Sequence, residues 1–354
     1  MASFKYTELA NYLREQITSG KFQPDAQLPT EQELAKRFDL SRDTVRKAIA
    51  ALEQEKLIYK IKGSGTYVRP APAPAMQNRT TSRRIGIMMN DIDSYIFPAI
   101  VKGINQVLDE AGYTAVIQIT ANQISKERAI LESFLQDDYA GLIIEPTKAA
   151  LPQVNYDLYQ KLSVSKPTIL IHGKIPTLPL SSVTIGDEQG AMELTQYLLR
   201  NGQREISIFC KYDEQTGTAR YLGFAKAFQQ EGLPIPDANI FWTPSEYMET
   251  LFSDPLPPAV KKNLKRSTAV ICHDDRMALA LKKYLLAHPQ YSGDMLICGF
   301  DDSQIAKDNG FISVAHPKAE FGIQVAKKLL EKINDPYLDV SYDFVPEICI
   351  NKKQ

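Results

Sequence analysis

At 354 residues the chain is too long for one ordinary domain and fits two or three. Apolar residues make up 44%, enough for sizeable cores, yet no apolar run approaches the roughly 18 residues of a membrane helix, so no membrane association is expected. The net charge of −1 hides an asymmetry: residues 1–84 hold 15 Lys and Arg against 9 Asp and Glu, and the remainder holds 26 against 33. A basic N-terminal module on an acidic body points to nucleic acid at one end only. Cys210, Cys272, Cys298 and Cys349 are scattered through apolar runs without C-x-x-C spacing, which suits buried free thiols and gives neither a disulfide framework nor a zinc site. The chain starts polar and leads directly into a helical pattern rather than a signal peptide, so a cytoplasmic protein is expected.

In chain order, the first strong pattern spans residues 28–68. Thr30 and Glu33 make a T-x-x-E capping box. Leu34 and Phe38 share a face, Asp39-Leu40 breaks the pattern as a short turn, and Ser41 is a second N-cap candidate. Val45, Ala48, Ile49 and Leu52 follow at helical spacing and should face a core, which leaves Arg42, Thr44, Arg46 and Lys47 on the other faces. A recognition helix presents its N-terminal residues to base edges in the major groove, where arginine takes guanine bidentately. From Leu57 to Val68 a weak alternation surrounds Gly63-Ser64-Gly65, which is hairpin chemistry, with Lys60 and Lys62 adding positive charge. A helical domain with solvated charges would account for the basic faces, but not for two helices followed by K-G-S-G-T-Y-V.

This segment resembles the N-terminal domain of GntR-family transcription regulators. The resemblance rests on Leu28-Pro29-Thr30-Glu31, Leu34-Ala35, Ser41-Arg42, Thr44-Val45-Arg46-Lys47-Ala48 and Gly63-x-Gly65-Thr66-x-Val68, and covers about residues 4–69. It implies a winged helix-turn-helix over residues 1–69, with Lys5, Glu31, Arg42, Thr44, Arg46, Lys47, Lys62 and Gly63 at the DNA and the wing tip in the minor groove. Asp39 stands where the turn commonly has Gly, and Asp43 where a neutral or basic residue is commoner; an acid there would repel phosphate unless it pairs with an arginine or accepts from cytosine.

Residues 70–83 read as a linker, because three prolines at alternate positions favour extended chain and forbid helix. From Arg84 onward short apolar runs alternate with helical patterns. Strands are expected at Ile85–Asn90, Thr114–Thr120, Gly141–Pro146 and Pro167–Gly173, with helices at Phe97–Ala111, Ser125–Asp137 and Leu151–Ser163. The second half repeats the theme with strands at Ile206–Lys211, Asn239–Trp242, Thr268–Asp274 and Met295–Asp302, and helices at Asp187–Arg200, Thr218–Gln230 and Arg276–Ala287. Continuous apolar runs bounded by turns are what parallel strands covered on both faces look like, and the alternation predicts a doubly wound α/β architecture in two lobes. The expected division places residues 84–180 and 303–333 in the first lobe and 181–302 and 334–354 in the second, with a ligand cleft at the carboxyl ends of the strands.

Polar and charged residues recur where those strands stop: Asp91, Asp93, Tyr95 and Phe97; Glu145, Thr147 and Lys148; His172; Asp187; Asp274 and Asp275; Asp301 and Asp302. Carboxylates and cations that bracket hydroxyls, with an aromatic face for C–H groups, suit a sugar. A strand-end Asp can instead cap the next helix.

The body resembles the effector domain of LacI/GalR-family repressors, a periplasmic-binding-protein-like fold, over about residues 84–352. The carrying residues are Asp187-x-x-Gly190-Ala191, Leu198 to Gly202, Arg220-x-x-Gly223-Phe224, Ala269 to Asp275-x-x-Ala278 and Gly299-Phe300-Asp301-Asp302. Asp274 stands where that family commonly has Asn. The union of the two domains, with Asp93 to Pro98 and Ile144 to Ala149 at two strand ends, resembles the arabinose-responsive repressors of Gram-positive bacteria. The resemblance implies a homodimer on palindromic double-stranded operator DNA, released by a sugar, L-arabinose, with Tyr95, Phe97, Glu145, Lys148, His172, Arg220, Asp274 and Asp301 as effector contacts. No cofactor or metal is implied. A purine or another sugar as effector is the alternative. Glycosidases also place paired carboxylates in a sugar cleft, but no phosphate-binding loop, nucleophile elbow or H-E-x-x-H motif appears, and a fused DNA-binding head argues for sensing over catalysis.

Overall fold

One local start signal and one stop signal shape the head. Thr30 Oγ1 accepts from Glu33 N at 3.2 Å while Glu33 Oε2 accepts from Thr30 N at 2.8 Å, so the capping box forms and opens a helix at Glu31. Asp39 closes that helix at φ +49°, a left-handed position that Asp tolerates better than most residues, which is how an acid stands where Gly is usual. The structure, a computed structural model, describes residues 2–55, 57–61, 64–69, 81–92, 95–247, 250–291 and 295–351. The head comprises α1 (Ala2–Thr18), α2 (Glu31–Phe38), α3 (Arg42–Gln54) and the antiparallel pair β1 (Ile58–Ile61) and β2 (Gly65–Val68). Leu13, Leu34, Val45, Ile49, Leu52, Ile58 and Val68 are buried together in its core. The linker expected at 70–83 lies outside the described residues up to position 80. Arg69, just before it, pairs with Asp335 of the body at 2.9 Å and stacks its guanidinium 4.6 Å from the Tyr337 ring centre.

The body runs through β3 (Arg84–Met89), α4 (Phe97–Glu110), β4 (Thr114–Ile119), α5 (Ile124–Gln136), β5 (Gly141–Ile144), α6 (Tyr156–Ser165), β6 (Thr168–Ile171) and β7 (Ser181–Ile185). It continues with α7 (Asp187–Arg200), β8 (Ile206–Lys211), α8 (Gln215–Gln230), β9 (Ile240–Thr243), α9 (Pro258–Leu264), β10 (Ala269–Cys272) and α10 (Asp275–Ala287). The last elements are β11 (Leu296–Asp301), α11 (Gln304–Asn309), β12 (Ile312–Ala315), α12 (Lys318–Asn334), β13 (Tyr342–Phe344) and β14 (Ile348–Ile350). They form two six-stranded sheets, ordered β13-β7-β6-β5-β3-β4 and β14-β12-β11-β10-β8-β9. Every pair in the first sheet is parallel, and in the second only β12–β14 is antiparallel. Each sheet carries apolar clusters on both faces, which is why its strands are continuous apolar runs.

The lobes divide differently from the sequence expectation. Residues 181–185 belong to the first sheet because β7 pairs with β6, and 303–315 belong to the second because β12 pairs with β11. Near the C-terminus, 342–344 return to the first sheet and 348–350 to the second. The chain therefore crosses between lobes at 185–187, 315–318 and 344–348. The helix expected from Leu151 starts only at Tyr156, because the buried Asn155 side chain donates to Ile124 O and Glu127 Oε2 and holds the preceding stretch as a turn. Two glycines permit close approaches at the family-like motifs. A Cβ at Gly223 would collide with the Glu188 carbonyl across the α7–α8 contact, and one at Gly299 would collide with the Asp275 carboxylate.

Candidate functional site

The DNA-facing surface follows from α3. Ser41 caps it by accepting from Thr44 N at 3.2 Å, and the two hydroxyls lie 2.8 Å apart. Burying Val45, Ala48, Ile49 and Leu52 turns Arg42, Arg46 and Lys47 outward to exposed positions and leaves Thr44 half-buried. Arg46 Nε donates to Glu31 Oε2 at 2.9 Å, and Asp43 stands 3.8 Å from the same guanidinium. Both acids thus fall beside an arginine, which removes the expected repulsion of phosphate at Asp43. Lys62, Gly63 and the Lys5 side chain lie outside the described residues.

The second site is a cleft of about 180 Å³ between the lobes, at the carboxyl ends of both sheets. Glu145, just past β5, accepts from Asn90 N at 2.8 Å and faces His172 Nδ1 at 2.9 Å, and His172 Nε2 lies 3.2 Å from His316 Nε2. Burial opposes protonation of His172, but the bond to Glu145 and the charges of Asp187 and Asp301 outweigh it, so its pKa is raised. Burial, with His172 and Lys318 alongside, holds His316 well below its ordinary range. Of the two rings His172 therefore takes up a proton more readily, and in that form it donates from both ring nitrogens, to Glu145 and to His316.

From the second sheet, Arg220 reaches back to the crossing at Asp187: its Nε and a terminal nitrogen contact Asp187 Oδ1 at 2.8 and 2.7 Å. It also donates to the His273 carbonyl and lies 4.1 Å from the Phe300 ring centre. Burial disfavours its charge, yet Asp187 and Asp301 outweigh that effect and keep it protonated. Asp301 has φ +95° and is buried; burial raises its pKa against the pull of Arg220. Tyr95, at φ +68°, spans the lobes by donating to Phe300 O at 3.2 Å and accepting from Asp275 N at 3.1 Å, with Arg276 over its ring at 4.6 Å. Phe97, at the start of α4, completes the near wall.

Seven of the eight expected effector residues line this cleft, and Lys148 does not. It turns away in a left-handed conformation to pair with Glu246 and, at 3.4 Å, Asp213. Asp274 lines the cleft but is largely engaged, since it caps α10 by accepting from Met277 N at 2.8 Å and pairs with Arg276 at 3.2 Å. Burial opposes its ionisation, and Arg276 and Lys211 hold it ionised. At this position the helix-capping role accounts for one carboxylate oxygen. Lys211, Glu214, His273, Arg276 and His316 also line the cleft and were not anticipated as contacts. Lys211 is the last residue of β8, so the strand-end pattern could have found it; His316 follows β12, which was not among the strands expected from the sequence.

Both domains match known protein families. Residues 5–68 match the bacterial regulatory proteins of the gntR family, and residues 195–349 match the periplasmic binding protein-like domain. Across 98% of this chain and 96% of the relative, the sequence is 35% identical to an arabinose metabolism transcriptional repressor of Geobacillus stearothermophilus. The chain belongs to this repressor family. A second member, from Halalkalibacterium halodurans, is 29% identical over 99% of this chain and 94% of its own. The repressor's fold also resembles a solved periplasmic binding protein/LacI transcriptional regulator from Alkaliphilus metalliredigens in complex with D-xylulofuranose. That likeness has a TM-score of 0.64 at 18% identity and covers 77% of this chain and 99% of the other.

Proposed function

We propose that this protein is a cytoplasmic repressor of sugar-utilisation genes, and that it holds palindromic operator DNA as a homodimer until L-arabinose fills the cleft. The observation that carries the reading is the meeting of Glu145 and His172 from one lobe with Arg220 and Asp301 from the other in a single cleft behind a winged-helix head. A pentose presents hydroxyls on every side, and fixed, buried, oppositely charged groups bracket hydroxyls with directional bonds. A purine needs free aromatic faces, whereas one face of Tyr95 is covered by Arg276.

Arg42, Thr44, Arg46 and Lys47 would meet the major groove, with Glu31 orienting Arg46, while Lys5, Lys62 and Gly63 would meet the backbone and the minor groove. Release requires the sugar to bind the DNA-incompetent arrangement more tightly, and the operator must then weaken sugar binding equally. A tenfold loss of operator affinity needs about 1.4 kcal/mol of coupling. The Arg69–Asp335 pair joins the base of the head to the end of α12, whose other end begins beside His316 in the cleft, and offers a physical route for that coupling.

Calorimetric titration of the full-length protein with L-arabinose, D-xylose, D-ribose and D-galactose tests the effector. Selective arabinose binding supports the reading; silence toward all four from a folded protein overturns the effector while leaving the DNA-binding head.

A further inference from the structure

The loops after β5 and β6 belong to one lobe and the segment from the end of β8 into α8, with Glu246 after β9, to the other, yet six bonds tie them. Ala150 N donates to Asp213 O at 3.2 Å. Gln215 Nε2 donates to Ala149 O at 2.9 Å and to Lys174 O at 2.7 Å, and Gln215 Oε1 accepts from Lys174 N at 2.7 Å. Lys148 Nζ pairs with Asp213 Oδ2 at 3.4 Å and with Glu246. Every one of these bonds runs between protein atoms. Both hydrogens of the Gln215 amide are committed to first-lobe carbonyls, which leaves little of it for a ligand although it lines the cleft.

The anchor on the second lobe is buried and multiply bonded. Asp213 is fully buried, and its carboxylate also accepts from Ser245 N at 3.1 Å and Ser245 Oγ at 2.9 Å. Its neighbour Glu214 faces the cleft and pairs with Lys211 at 2.8 Å and His273 at 3.2 Å. Cleft lining and cross-lobe tie are therefore consecutive residues of one segment.

We propose that Asp213 and Gln215, with Lys148 and the Lys174 backbone, form a latch that sets the population of the closed lobes and so the effector affinity. Gln215 is a positioning residue: it fixes lobe against lobe through the 149 and 174 backbones. The affinity readout rests on the sugar reading above, whereas the closure readout does not. When only a fraction of the protein is binding-competent, the apparent Kd rises in inverse proportion to that fraction. A fall in the closed population from nearly all to a tenth weakens binding about tenfold.

The test compares full-length wild type, Gln215→Ala and Lys148→Met. Without sugar, amide hydrogen exchange at Ala150 and Lys174 should accelerate at least tenfold in Gln215→Ala, with exchange in the β8 and β10 cores unchanged. L-arabinose binding should weaken about tenfold in that variant with the order among sugars kept. Lys148→Met retains the Gln215 ties and should move the Ala150 amide in the same direction by less; should Gln215→Ala fail to fold, this variant carries the test. Unchanged exchange at both amides, or equal arabinose affinity in wild type and Gln215→Ala, overturns the latch. Faster exchange at the two amides in a protein whose wild type binds none of the sugars supports the latch and sinks the sugar reading instead.

Discussion

Replacing Arg220 by Met keeps the aliphatic stem and removes the charge. Arg220 and Asp187 side chains are only 8% and 10% exposed, so the variant leaves a carboxylate buried without its partner. Breaking a buried pair from one side costs about 3–5 kcal/mol, because the remaining charge keeps its desolvation penalty and loses its attraction. The lost stacking on Phe300 adds roughly 0.5–2 kcal/mol. Asp187→Asn together with Arg220→Met removes the stranded charge, so the double variant should recover most of the first loss despite carrying more changes. Urea unfolding followed by a probe in the body measures all three proteins, and arabinose titration should show no binding to either Arg220 variant. If Arg220→Met shifts stability by less than about 1 kcal/mol, or the double variant is as unstable as the single, the buried pair does not have the energetic role assigned to it.

Arg46→Ala should lower operator affinity about tenfold or more and leave arabinose affinity alone, as read by DNA anisotropy beside calorimetry; unchanged DNA affinity removes the recognition-helix assignment. Leu52→Ala, at a fully buried position in the head, should cost about 2–5 kcal/mol of head stability and abolish operator binding while sugar binding persists. Asp275 is pushed up to about 7 by burial and by the nearby Asp301. A carboxyl raised above its ordinary 3.8 contributes stability that is full below that value and is lost as pH rises through about 7. The wild-type advantage over Asp275→Asn in urea unfolding should therefore shrink from pH 5 to pH 8, by at most ~3 kcal/mol, and a growing advantage contradicts the assignment.

The head was legible because its signals are local: a capping box, an N-cap at Ser41 and a four-residue apolar stripe act within one or two turns. The strands of the body were legible as apolar runs, and α7 and β8 begin and end where the pattern places them. Lobe membership was not, since period and length say nothing of which sheet a strand joins. β7 hides behind its serines, which are buried yet bonded: Ser181 Oγ accepts from Val340 N at 3.2 Å, and Ser182 N donates to Ser341 Oγ at 3.1 Å. In the cleft, residue type was informative and orientation was not. Lys148 and Glu145 stand three residues apart at one strand end, and a left-handed backbone at Lys148 sends its side chain to the opposite lobe instead of the ligand.

The central claim is that sugar in the cleft releases DNA from the head. It is tested most directly by fluorescence anisotropy of labelled operator DNA bound to the full-length protein while L-arabinose, and in parallel D-xylose, is titrated at fixed salt. The account predicts saturable release by arabinose, with at least a tenfold loss of operator affinity and little response to xylose. Operator binding that is indifferent to arabinose in a protein shown to bind it would contradict the account.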